Sequence, residues 1–177
     1  MGHYDLIDAG DTRFVFAYMG YQPDEAAIRW LTSVFNQYPE RVGVLAVHDY
    51  FKTDLSLYDS GRALQKAVLA QCPNVYLVLS GHRYNVAAVP VSFDDDGDGT
   101  AERTVYQMIA NYQAAGSEGG SGYMCFLQID EAAGELRAYS YSPYLEDYRY
   151  WDEPGTENEK YPVDPANEEI TLSLPWA

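Results

Sequence analysis

Three histidines in a chain of 177 residues are few enough to weigh one by one. His48 ends the apolar run Val42-Gly43-Val44-Leu45-Ala46-Val47, and His82 follows the run Val75 to Leu79 by way of Ser80-Gly81. Neutral imidazoles at the carboxyl ends of neighbouring parallel strands can hold one divalent ion through their ring nitrogens. Asp49 stands close enough to His48 to offer a carboxylate, or an acceptor behind the metal ligand. The same pair also reads as a hydrogen-bonded structural couple. A catalytic metal site wants three protein ligands or more, and His3 lies near a chain end, where fraying is expected.

A second constellation is Asp94-Asp95-Asp96-Gly97-Asp98-Gly99-Thr100-Ala101-Glu102. Hard oxygen donors at alternate positions, with a glycine for the sharp turn, are what a calcium loop requires. The expected ligands are the carboxylates of Asp94, Asp96 and Asp98, the carbonyl of Thr100, and Glu102 directly or through water. It is not an EF-hand: position twelve is Val105, and strands rather than helices flank it. The alternative is a polar hairpin loop whose Asp-Gly pairs tolerate positive φ.

Other residues carry less. Ser80 lacks a Gly-x-Ser-x-Gly elbow, and the glycines at 116, 119, 120 and 122 lack the Lys-Ser/Thr ending of a phosphate loop. The tyrosine-rich stretch Tyr139, Tyr141, Tyr144, Tyr148, Tyr150 and Trp151 can form a sugar- or partner-binding face, or cover a sheet with its hydroxyls in water.

The elements that must position these residues follow from periodicity. Alternation around Ala9-Gly10-Asp11 predicts a hairpin ending near Tyr18. Pro23, Asp24 and Glu25 open a helix with Ile28, Leu31, Val34 and Phe35 at helical spacing, stopped by Tyr38-Pro39. The unbroken run Val42–Val47 is the pattern of a strand covered on both faces. A helix with Leu64, Ala67, Val68 and Leu69 on one face follows, and then the second buried strand, so that the two strands pair in parallel through a right-handed crossover. From Tyr84 on, strands at 86–93, 104–110, 123–129 and 136–141 are joined by turns. The stretch 143–177 is acidic, nine acids against two bases for a net of −7, with a late strand in 170–174.

Composition narrows the function classes. Apolar residues make up 47% of the chain, enough to build a core. A balance of 27 acids to 11 bases, net −16, excludes recognition of nucleic-acid phosphates through a basic surface. No apolar run approaches the ~20 residues of a membrane span, and no charged segment followed by an apolar stretch opens the sequence, so a signal peptide is either absent or already removed. Cys72 and Cys125 are too far apart for a Cys-x-x-Cys metal pattern and can be paired or free.

Val44-Leu45-Ala46-Val47-His48-Asp49-Tyr50, Leu77-Val78-Leu79-Ser80-Gly81-His82-Arg83-Tyr84, the stretch Asp94 to Gln107 and Asn111-Tyr112-Gln113 together resemble the C-terminal half of calcineurin-like metallophosphoesterases. In that family two metals hold a bridging hydroxide that attacks phosphorus. The resemblance implies that His48 is the lone metal-binding histidine and His82 the first of a Gly-His-x-His motif. The second histidine of that motif is Tyr84 here, a weaker ligand. The family's N-terminal motifs, Asp-x-His, Gly-Asp-x-x-Asp and Gly-Asn-His, have no counterpart, and Gly10-Asp11 belongs to a hairpin turn.

The expected fold class is therefore α/β, a partial layered sandwich with a short parallel centre extended by antiparallel strands. Residues 1–150 are the C-terminal part of a metallophosphoesterase-like domain, and 151–177 an acidic tail whose late strand packs on it. The resemblance implies Mn, Fe or Zn at His48 and His82 and a phosphoester substrate in the full domain, with this chain catalytically incomplete. The competing reading is an acidic, calcium-stabilised interaction module. Truncation predicts an unpaired apolar edge that recruits a second copy, or a separate chain carrying the missing N-terminal half. A calcium loop leans the compartment towards extracellular or periplasmic.

Overall fold

The computed structural model describes residues 2–115, 118–152 and 164–176; Gly116 and the part of the acidic tail at 153–163 lie outside them. The described residues form nine strands in two sheets. Strands β1 (His3–Ala9) and β2 (Thr12–Met19) make the expected hairpin, with Gly10 at φ +59° in its turn. Helix α1 (Glu25–Gln37) starts where Asp24 caps it, the Asp24 carboxylate accepting from the Ala27 amide at 2.8 Å. Strand β3 (Val42–Val47) leads to α2 (Asp59–Leu64), which continues as a π-helical turn (Gln65–Leu69) before β4 (Val75–Ser80). Strands β5 (Asn85–Phe93) and β6 (Arg103–Asn111) form a second hairpin around the acidic loop.

The large sheet runs β1-β2-β3-β4-β6-β5. Its parallel centre is longer than the two strands expected: β2, β3, β4 and β6 all run the same way. The hairpin pattern of β5 and β6 is correct, but β6 rather than β5 lies against β4. The parallel centre also has no free edge of its own, because antiparallel β1 covers β2 and β5 covers β6.

Burial explains why the central strands are continuously apolar. Val15, Ala17, Leu45, Val47, Val78, Val105 and Ile109 face Leu31, Val34 and Phe35 of α1 and Leu64, Val68 and Leu69 of the second helix. Phe14, Val44 and Leu77 face the other way, against Leu136 and Leu174. Each such aliphatic side chain contributes about 1.5–3 kcal/mol by leaving water. The covering layer is the small sheet β7 (Met124–Asp130), β8 (Glu135–Tyr141) and β9 (Glu169–Ser173), all antiparallel. The architecture is thus a mixed α/β sandwich: helices, a mixed six-stranded sheet, then a three-stranded sheet. No helix among the described residues is long and apolar enough to cross a membrane, and Cys72 and Cys125 are both free.

Candidate metal centre

Register aligns the carboxyl ends of the parallel strands, pairing Met19 with Val47, Val47 with Ser80, and Ser80 with Ile109. The ladder continues one step into the loops: the His48 amide donates to the Met19 carbonyl and the Gly81 amide to the His48 carbonyl, both at 3.3 Å. His82 then takes a left-handed φ of +65°. Such a conformation is uncommon outside glycine and collects at functional sites. The result is an Nε2 of His48 to Nδ1 of His82 separation of 3.0 Å, with ring centroids 4.8 Å apart. One nitrogen carries the proton and the other accepts it.

The same separation suits a metal. Two imidazole nitrogens bound to one ion at about 2.0–2.1 Å each are roughly 3 to 3.4 Å apart for angles from a right angle to tetrahedral. The pair therefore fits as two ligands. A third is lacking among the described residues: none of the groups of three or more His, Cys, Asp or Glu side chains close enough to share an ion includes these histidines.

Asp49 is not the carboxylate ligand its position suggested. It is 1% exposed and turned inward, accepting from the Gln22 amide at 2.9 Å and the Ser60 hydroxyl at 3.1 Å. It ties the loop after β2 to the start of α2. Tyr84, which the resemblance set at the place of a second histidine, packs beside Val86 and Tyr112. The Ser80 hydroxyl donates to the Met108 carbonyl at 2.8 Å, and His3 stacks on Tyr18.

Sequence reasoning missed Tyr21, Tyr58 and Arg83. Tyr21 sets its ring 5.8 Å from His48 and 5.3 Å from His82. Tyr58 lies 6.4 Å from His82 and accepts from Arg83 Nε at 2.5 Å. The available signal was that β2 runs parallel to β3, which brings the loop carrying Tyr21 to the same crevice. Arg83, the residue after His82, holds its guanidinium against Tyr58, a positive charge able to attract an anion.

The acidic loop assembles four of its expected ligands. One carboxylate oxygen each from Asp94, Asp96, Asp98 and Glu102 lies within 4.8 Å of the others, all exposed. Asp94 accepts from the amides of Gly97 and Gly99 at 2.6 and 2.8 Å, and Asp98 from the Thr100 amide at 2.7 Å. Asp95 points away from the cluster. Its carboxylate takes two hydrogen bonds, at 2.8 and 2.7 Å, from Arg103. Arg103 is 4% exposed, and donates also to the carbonyls of Val75 and Leu69.

Comparison with known proteins adds little beyond these contacts. No protein-family model matches. The uncharacterized protein YvnB of Bacillus subtilis (strain 168) is 38% identical over 151 residues, which is 85% of this chain and 12% of that protein. The chain thus spans about an eighth of the relative's length. Among solved structures, GAP50, the anchor in the inner membrane complex of Plasmodium, superposes over 95% of this chain and 57% of its own at a TM-score of 0.46 and 13% identity.

Proposed function

We propose that the chain is a metallophosphoesterase-like half-domain whose His48 and His82 are two ligands of a divalent transition metal, Mn, Fe or Zn. The observation that carries this reading is the 3.0 Å approach of His48 Nε2 to His82 Nδ1 at adjacent parallel strand ends. In a complete centre the metals would supply a nucleophilic hydroxide and neutralise phosphoryl charge. The chain's own residues hold the imidazoles in place, enclose them with Tyr21 and Tyr58, and present Arg83 to an anionic phosphoester. Two ligands among the described residues would hold a metal weakly, and carboxylate motifs from a further segment would complete the centre. Titration with Mn²⁺ or Zn²⁺ tests this. Affinity lost in both His48→Ala and His82→Ala supports the reading, and affinity unchanged in both removes it.

A second reading rests on the acidic loop: a calcium-stabilised interaction module without catalysis. Convergence of the carboxylates of Asp94, Asp96, Asp98 and Glu102 favours it. Calcium that raises the thermal midpoint of wild type but not of an Asp96→Asn, Asp98→Asn double variant supports that ion, held in the 10⁻⁴–10⁻³ M range expected of extracellular modules. A midpoint indifferent to calcium rejects it.

A further inference from the structure

The outer face of the three-stranded sheet has no covering layer among the described residues, and it is not merely apolar. Cross-strand pairing sets Phe126 opposite Tyr139 and Gln128 opposite Arg137 on that face. The Phe126 and Tyr139 rings lie 13° from parallel with centroids 5.6 Å apart. Tyr148, from the loop after β8, brings its ring 4.6 Å from Tyr141 and 6.3 Å from Tyr139. Phe126 is 40% exposed and Tyr148 59%, so ring surface stays open to solvent. Beside these rings is a cleft of about 430 Å³ into which Gln128, Arg137, Arg149, Glu168 and Glu169 bring polar groups.

We infer that this aromatic cleft is a binding site for a neutral saccharide, with Tyr139 and Tyr148 as its stacking surfaces and Gln128, Arg137 and Glu168 as hydroxyl-binding groups. Three features of the cleft select that class. A sugar ring offers apolar C–H edges that lie against aromatic faces, and hydroxyls that need nearby donors and acceptors; a concave site with aromatic walls and a few polar groups provides both. The arginines of the cleft are already paired, Arg137 with Glu169 and Arg149 with Asp152. A strongly anionic or cationic ligand would have to break one of those pairs, whereas a neutral one need not. Finally, Oε1 of Glu168 is buried with no hydrogen-bond partner among the described residues, and burial pushes this carboxyl up from its ordinary value, with Asp152 adding to the rise. That oxygen is closed to solvent, and the carboxyl, which also lines the cleft, would turn outward to meet a ligand hydroxyl.

Affinity electrophoresis of the 177-residue chain through gels containing hydroxyethylcellulose, galactomannan or, as a charged control, dextran sulfate tests the site. Retardation by a neutral polysaccharide is expected, weakened at least tenfold in Tyr148→Ala and in Tyr139→Ala and retained in Tyr139→Phe. Tyr148 is an exposed loop residue, so its truncation leaves folding intact, as near-ultraviolet circular dichroism will verify. No retardation by either neutral polymer, retardation by dextran sulfate alone, or equal retardation of wild type and Tyr148→Ala overturns the assignment. So does a concentration-dependent dimer in light scattering that Tyr148→Ala abolishes, since a second copy would then cover the face.

Discussion

His82 holds its backbone at φ +65° while its Nδ1 sits 3.0 Å from His48 Nε2. Backbone conformation and imidazole chemistry can be separated at this position, because asparagine visits the left-handed region readily and alanine does not. His82→Asn should leave stability to urea within about 0.5 kcal/mol of wild type, and His82→Ala should lose about 1 kcal/mol. Both should lose the metal site. Equal stability of the two variants would mean that the left-handed turn relaxes at no cost.

Asp95 and its neighbour Asp96 differ in what they hold. Asp95→Ala strands the buried Arg103 guanidinium, and loss of one partner of a buried pair costs about 3 kcal/mol or more. Asp96→Ala removes an exposed acceptor and should cost about 1 kcal/mol or less in calcium-free buffer. Urea denaturation of the two variants decides the point; equal losses would contradict the division of labour inside the acidic loop.

Two carboxyls should give opposite pH dependences. The Tyr123 hydroxyl, donating at 2.6 Å, is the main cause that holds Asp147 below the usual aspartate range, with the Arg149 and Tyr148 amides and the Arg149 charge assisting. Its stabilising contribution is complete above that range and is lost as pH falls through the lowered value. The gap in thermal midpoint between wild type and Tyr123→Phe should therefore narrow in acid. Glu168 is shifted upward, chiefly by burial, so its ionised form is penalised in the folded chain. The penalty is absent in acid and grows as pH rises through the ordinary glutamate range to the raised folded value. Glu168→Gln should stabilise the chain at neutral pH and lose that advantage in acid; a gain that persists in acid would contradict the burial cause.

Cys72 should be unreactive while the chain is folded. Burial pushes its thiol up to about 11 despite the opposing charge of Arg103, so little thiolate exists near neutrality. At pH 8, iodoacetamide should label Cys72 only in denaturant. Rapid labelling of the native chain would show that the core around α1 and β4 opens easily.

Local pattern carried much of this architecture into view. Val42–Val47 reads as a doubly covered strand and is one, because Val44 meets the small sheet and Leu45 meets the helices. His48 and His82 were legible for the same reason, each following an apolar run. The position of β6 was not: alternation identifies a hairpin partner, but which hairpin strand docks on β4 depends on contacts distant in sequence. Asp49 illustrates the same limit, since adjacency to His48 says nothing of the Gln22 amide that turns its carboxylate inward. Nor does the run Asp94-Asp95-Asp96 reveal that its middle member serves Arg103.

Long-range ¹H–¹⁵N NMR of the imidazole nitrogens during a Zn²⁺ titration tests the shared ligation by His48 and His82 most directly. His48 Nε2 and His82 Nδ1 should shift together, saturating at one ion per chain, while the nitrogens of His3 stay in place. Movement of either nitrogen without the other, or of His3 alone, would contradict a metal held between the two strand ends.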